Sequence, residues 1–207
     1  MTRIQPLPFD EWDLDAISVV APGRQLGPSN VLGLFANHPA LAKAFLRYNA
    51  YLLGRDSTIP PHIRELAILR VAWRRRCRYE WAQHVRIARR AGVTDAEIAM
   101  VRAGADARAG AGNGDGDSAG DGDAPGHEIT ALIIAAVDEL DANSGLSDGI
   151  YQALADKFDD RQLMDLVFTI GTYGLLAMAF NAFGLGLDLD LDLDPGLSDE
   201  GFDSTNE

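Results

Sequence analysis

A single cysteine, Cys77, among 207 residues leaves no partner for a disulfide within the chain. A secreted fold stapled by disulfides is therefore excluded. Lysine is almost missing, with Lys43 and Lys157 alone. The formal net charge is -13, so nucleic acid and anionic membrane surfaces are unsuitable partners for the chain as a whole. The N-terminal stretch MTRIQPLPFDEWDLD is acidic, broken by proline and without the apolar centre of a signal peptide. A cytoplasmic location is expected. No run alternates with period two except the DLDLDLD near the C-terminus, which is too acidic for a convincing strand. With strands unsupported, the expected fold class is all-α.

What remains is a globular composition, 47% hydrophobic, in a chain long enough for one sizeable core. Residues 1–207 are read as a single domain. The acid is concentrated in GNGDGDSAGDGDAPGHE (112–128) and LDLDLDLDPGLSDEGFDSTNE (187–207). The first belongs to a Gly/Asp-rich insert, about 105–126, that is expected to be a flexible loop, because it cannot bury enough apolar surface to offset its ordering entropy. The second is expected to fray from about 188 onward. Eight arginines lie between Arg70 and Arg90 and read as a solvated helix end that balances acid elsewhere.

Helical spacing runs through the rest. In 37–53, Leu41, Phe45, Tyr48 and Leu52 recur at spacings of four and three, with Asn37 as entry and Pro39 in the first turn. Residues 57–73 place Pro60 and Pro61 at a helix start. A helix over 79–92 stops on Gly92, and one over 94–104 opens with a Thr94–Glu97 capping box. The pattern resumes over 127–144 and 147–183. Leu166 to Leu187 carries no charge and is long enough to span a bilayer. It has no flanking basic cluster, and reads as a central helix of the bundle or of a subunit contact.

Helical wheels expose an anomaly. On the helix over 79–91, Ala82, Gln83, Arg86, Arg89 and Arg90 share one side. Glu80 and His84 fall on the other, among Trp81, Val85, Ile87, Ala88 and Ala91. Extending the helix back one turn adds Cys77 to the same column. The preceding helix repeats the feature, with Glu65 beside Leu69 and Ala72. A buried unpaired carboxylate costs several kcal/mol, so Glu65 needs a partner, and His84 on an adjacent antiparallel helix would supply one.

The pattern RELAILRVAW…YEWAQHVRIARRAGVTDAEI resembles the carboxymuconolactone decarboxylase-like family, which also contains the alkylhydroperoxidase D proteins. The match is best over about residues 37–104. The resemblance implies an all-α bundle that assembles into homo-oligomers. In the hydroperoxidase branch, a Glu one helix earlier and a following His form a proton relay for a C-x-x-C pair. By spacing, Glu65, Cys77 and His84 take the places of the relay Glu, the first Cys and the relay His. Glu80 stands where the second Cys would be and cannot form a disulfide, so the YEW-x-x-H form resembles the thiol-independent, decarboxylase-like side.

The leading expectation is an enzyme for a small organic acid or lactone, a carboxy-lyase in type, with His84 and Glu80 shuttling protons and Glu65 orienting them. Arg64 would hold a substrate carboxylate, with Tyr79 and Trp81 at the substrate site. No cofactor or metal is required. Three alternatives remain open. One is a one-cysteine peroxidase of peroxiredoxin type, in which Cys77 is activated by Arg76, Arg78 and His84. Another is a metal held by His62, Glu65, Glu80 and His84. The last is a non-catalytic oligomer that binds a small molecule.

Overall fold

The computed structural model describes residues 1–23, 25–104 and 125–188. Among these, it contains nine α-helices, two 3-10 turns and no strand, so the fold is all-α as expected. The helices are α1 (Leu14–Ile17), α2 (Asn30–Ala36), α3 (Pro39–Leu53), α4 (Pro61–Arg74), α5 (Arg78–Arg90), α6 (Asp95–Ala103), α7 (Pro125–Asn143), α8 (Asp148–Ala155) and α9 (Asp160–Phe183). Most of the insert (105–124) and of the tail (189–207) lies outside the described residues. At their edges, Pro125 and Gly126 open α7, and Asp188 is tied down by hydrogen bonds.

Helix α4 is the axis. Every residue from Ile63 to Ala72 is buried, because α5, α6, α7 and α9 pack around it. Its arginines are not simply solvated. Arg70 forms a bidentate pair with Asp138 and donates to the Val101 carbonyl, while Arg74 and Arg75 both reach Asp141. The basic run thus ties α4 to α7.

Local signals explain the element boundaries. Pro60 and Pro61 start α4, and the Thr94–Glu97 capping box starts α6. Gly92, at φ 90°, ends α5 in a Schellman turn, with Gly92 N bonded to Arg89 O and Val93 N to Ala88 O. The same bond pattern ends α4, with Arg76 N on Trp73 O and Cys77 N on Ala72 O, although the left-handed position there is Arg76 at φ 51°.

Four expectations are corrected. The entry to α3 is His38, whose Nδ1 accepts from Leu41 N, whereas Asn37 closes α2. The buried face of α3 is Ala42, Leu46, Asn49 and Leu52, leaving Leu41 51% exposed. It is rotated because α3 packs on α1, in a small second core of Trp12, Ile17, Ala36, Ala42 and Leu46. The stretch 147–183 is two helices, since Asp159 and Gln162 form a capping box that restarts the chain at α9. Finally, Cys77 is the residue before α5, with extended backbone, and is not part of a helical column.

Helix α9 is the one described helix long and apolar enough to cross a membrane by length and composition; 56% of that stretch is buried in the bundle. Its other face exposes Met164, Val167, Phe168, Leu175 and Met178.

Candidate active site

The wheel positions of Glu65, Glu80 and His84 converge in space. Glu65, in the middle of α4, is 0% exposed. Its Oε2 lies 2.7 Å from His84 Nδ1 on α5, and its Oε1 accepts from Arg64 Nε at 3.2 Å. Burial pushes the Glu65 carboxyl upward, but the charge and hydrogen bond of His84, together with Arg64, outweigh it and hold it below the usual carboxylate range. An ionised Glu65 accepts from Nδ1–H of either form of the imidazole, which orients the ring and, when the ring has lost its second proton, leaves the Nε2 lone pair available. Nε2 has no hydrogen-bond partner among the described residues.

Glu80 lies one turn before His84 and is 1% exposed. Neither carboxyl oxygen has a hydrogen-bond partner among the described residues; the polar group nearest enough to affect it is the Cys77 thiol. Burial drives the Glu80 carboxyl well above the usual range, outweighing the downward pull of the thiol. Two carboxyls on facing helices are therefore displaced in opposite directions, Glu65 toward the carboxylate and Glu80 toward the neutral acid.

Both Glu80 and His84 face a cavity of about 280 Å³. Its apolar walls come from α2 (Val31, Leu32, Phe35), α3 (Phe45, Leu46, Leu53), α5 (Ile87) and α9 (Leu176, Phe180). The polar inner end adds Asn49 and Tyr173. The Tyr173 ring meets the His84 ring edge-on, with centroids 4.9 Å apart. Burial, then the neighbouring Glu65 and Glu80, pushes the Tyr173 phenol well up, while a hydrogen bond from Asn49 pulls the other way. It stays a neutral donor.

At the outer end, Tyr79 and Gln83 line the cavity and both donate to Asp188 Oδ2, at 2.8 and 2.9 Å. Asp188 Oδ1 accepts from the backbone N–H of Asn30 at 2.6 Å. This residue thereby fastens the start of α2 to α5, closing the wall beside the cavity.

Three sequence-predicted residues stand elsewhere. Arg64 is buried with its guanidinium on Glu65 and the Leu52 carbonyl, off the cavity wall and in no position to clasp a substrate carboxylate. Trp81 is wholly buried against Trp73 and under Arg102, a core residue rather than a cavity wall. Cys77 is buried behind the lining, where burial and then the Glu80 carboxyl push its thiol up. A peroxidatic cysteine needs the reverse, a thiolate open to peroxide. Nor does the four-residue metal set assemble: His62 pairs with Glu97 at 2.9 Å. No group of three or more His, Cys, Asp or Glu among the described residues is placed to hold a metal.

Asn49, Tyr173, Gln83 and Asp188 escaped sequence reasoning. Asn49 alone carried a signal, as the polar member of the Ala42–Leu46–Leu52 stripe.

Against known proteins, residues 39–113 match the carboxymuconolactone decarboxylase family model. The matched segment contains Asn49, Glu65, Cys77, Glu80 and His84; α2, α9 and Asp188 lie outside it. Searches of curated proteins and of solved structures gave no match.

Proposed function

We propose that this chain, with the carboxymuconolactone decarboxylase family pattern over residues 39–113, is an enzyme that moves protons on a small organic acid or lactone. The observation that carries the reading is one cavity holding a neutral carboxylic acid, Glu80, and an imidazole, His84, oriented by an ionised Glu65. Groups with opposite protonation states in one apolar site are the requirement for acid–base catalysis near neutral pH.

In this mechanism, His84 Nε2 removes the proton from the carbon beside a carbonyl. The electron pair moves onto the carbonyl oxygen, which takes the Glu80 proton to give an enol. In a substrate with a second, conjugated C=C, return of the enol proton to Glu80, with delivery from His84 to the far carbon of the dienol, completes an isomerisation. If the bond broken is instead the one to a carboxylate carbon, CO₂ leaves and the oxygen takes the Glu80 proton; a protonated His84, charged from solvent, then delivers a proton to carbon as the enol proton returns to Glu80. Tyr173 and Asn49 are positioning residues at the inner end of the cavity. A cytoplasmic setting fits the acidic, disulfide-free chain. Against the peroxidase alternative, the Cys77 thiol is buried and pushed up, away from the thiolate a peroxidatic cysteine needs.

Self-association belongs to the same reading. The exposed parts of Leu41, Tyr48 and Tyr51 on α3, with Met164, Val167, Phe168, Leu175 and Met178 on α9, present on the order of 800 Å², the scale of one side of a standard interface. Tyr48 bonds Thr172 and Tyr51 bonds Asp165, so the two helices form one surface. Beside the α9 side chains runs a groove between α4, α7 and α9, with Gly171 and Gly174 in its lining. Knobs and groove on adjoining surface suit a second copy of the chain.

The test is turnover of a panel of small lactones and β-keto acids in D₂O, read by mass spectrometry for deuterium uptake or CO₂ release. His84→Ala, with helicity intact, should lower the rate by about a hundredfold or more. Rates indifferent to His84→Ala and Glu80→Gln would overturn the proposal. Saturable binding without turnover would leave a non-catalytic binding protein.

A further inference from the structure

The cavity's own chemistry narrows what it accepts. Its walls are aliphatic and aromatic, and its polar groups sit at two ends. Among the described residues, no arginine or lysine lines it. The nearest buried guanidinium, Arg64, is committed to Glu65 and the Leu52 carbonyl. Carboxylates flank the space instead: Glu65 stands behind His84 at the inner end, and Asp188 behind Tyr79 and Gln83 at the outer end. An anionic ligand would shed water to enter and then face these charges with no cation but His84, whose charge is already shared with Glu65.

The unmatched groups describe the complement. Glu80 places both of its carboxyl oxygens at the inner end without a hydrogen-bond partner, and Asn49 Oδ1 is likewise buried and unpartnered. A neutral Glu80 can donate one O–H, while Asn49 Oδ1 can accept one. The ligand should therefore offer a hydrogen-bond acceptor to the first, and a hydroxyl on it would suit the second. Beyond that end, Val31, Phe35, Phe45, Leu176 and Phe180 ask only for apolar surface. A cavity of about 280 Å³ is at the small end of ligand sites and holds about a dozen non-hydrogen atoms.

We propose that the cavity takes a neutral, largely apolar carbonyl compound, its carbonyl oxygen accepting from the Glu80 carboxyl, and that it discriminates against carboxylate anions. This rests on the acid–base reading for the protonated state of Glu80, and it selects the lactone or ketone over the organic acid.

The experiment is calorimetric binding of δ-decalactone and of its ring-opened anion, sodium 5-hydroxydecanoate, to the full chain at neutral pH. The two probes share a carbon skeleton and differ in charge. The lactone should bind wild type at least about tenfold more tightly than the anion. Glu80→Leu should weaken lactone binding by about tenfold, the worth of one buried hydrogen bond, and Glu80→Gln, which keeps an N–H donor, should retain most of it. Circular dichroism of each variant confirms the fold, and the wild-type comparison of the two probes needs no variant at all. An anion that binds as tightly as the lactone would overturn the proposal, as would lactone binding indifferent to Glu80→Leu or absent from folded wild type. Lactone binding as expected without any turnover would sink the enzyme reading while leaving this one standing.

Discussion

Glu80→Leu should make the protein more stable while removing its acid. In the wild type, a carboxyl that is 1% exposed has no hydrogen-bond partner among the described residues. Leaving such a group unsatisfied costs about 1–3 kcal/mol, and a leucine of similar volume removes that cost. For a chain of this size, a gain of about 2 kcal/mol raises the melting temperature by about 4–8 °C. The pH dependence separates charge from polarity. Glu80 has a higher pKa folded than unfolded, so the folded state binds more protons between the two values. The wild type therefore loses stability as pH rises from the ordinary carboxylate range through the folded value, by up to about 1.4 kcal/mol per pH unit. Below the ordinary range this loss is absent. Groups common to both proteins cancel in the difference, so the advantage of Glu80→Leu should widen as pH rises. Glu80→Gln, polar but never charged, should share the widening and lack most of the constant part. Urea melts at a series of pH values supply the measurement. A leucine variant less stable than wild type at every pH, or a difference flat with pH, would refute the assignment of Glu80 as a buried neutral acid.

Glu65→Gln should act in the opposite sense, costing about 3 kcal/mol near neutrality because it leaves Arg64 and His84 without their anion. Since the Glu65 pKa is lowered, its contribution is present above the ordinary carboxylate range and fades as pH falls through the folded value, so acid melts of the two proteins should converge; a constant gap would refute the pairing. Cys77→Ala should lose about 1 kcal/mol of packing and keep lactone turnover, and complete loss of activity with intact helicity would bring the thiol back into the chemistry. Phe168→Asp, which places a charge at the middle of the exposed α9 face, should shift sedimentation velocity to the monomer; an unchanged profile would remove that face from any self-contact.

The inward direction of Glu65, Glu80 and His84 was legible because all three sit within regular helices, Glu80 in the first turn of α5, where a 100° step carries a side-chain direction along the helix. Cys77 was misplaced for the complementary reason: it precedes α5 in extended backbone, so helical spacing does not apply to it. Trp81 shows a second limit. The apolar side of a helix includes both cavity wall and core, and only packing against Trp73 from α4 decides that Trp81 is core. The wall contributed by α2 was hidden because seven residues are too few for a periodic signal. Asp188 was hidden because its partners, Asn30, Tyr79 and Gln83, are more than a hundred positions away.

These gaps and successes have a common cause. Where the chain obeys its local rules, as at the Thr94 capping box and the Gly92 turn, sequence and structure agree and little chemistry results. Glu80 breaks the strongest of those rules, an ionisable group buried with no hydrogen-bond partner among the described residues. Nothing in the stability of the bundle requires a carboxyl there, since Leu would serve it better. A residue that costs stability and faces a cavity beside an oriented histidine is accounted for by what the cavity does.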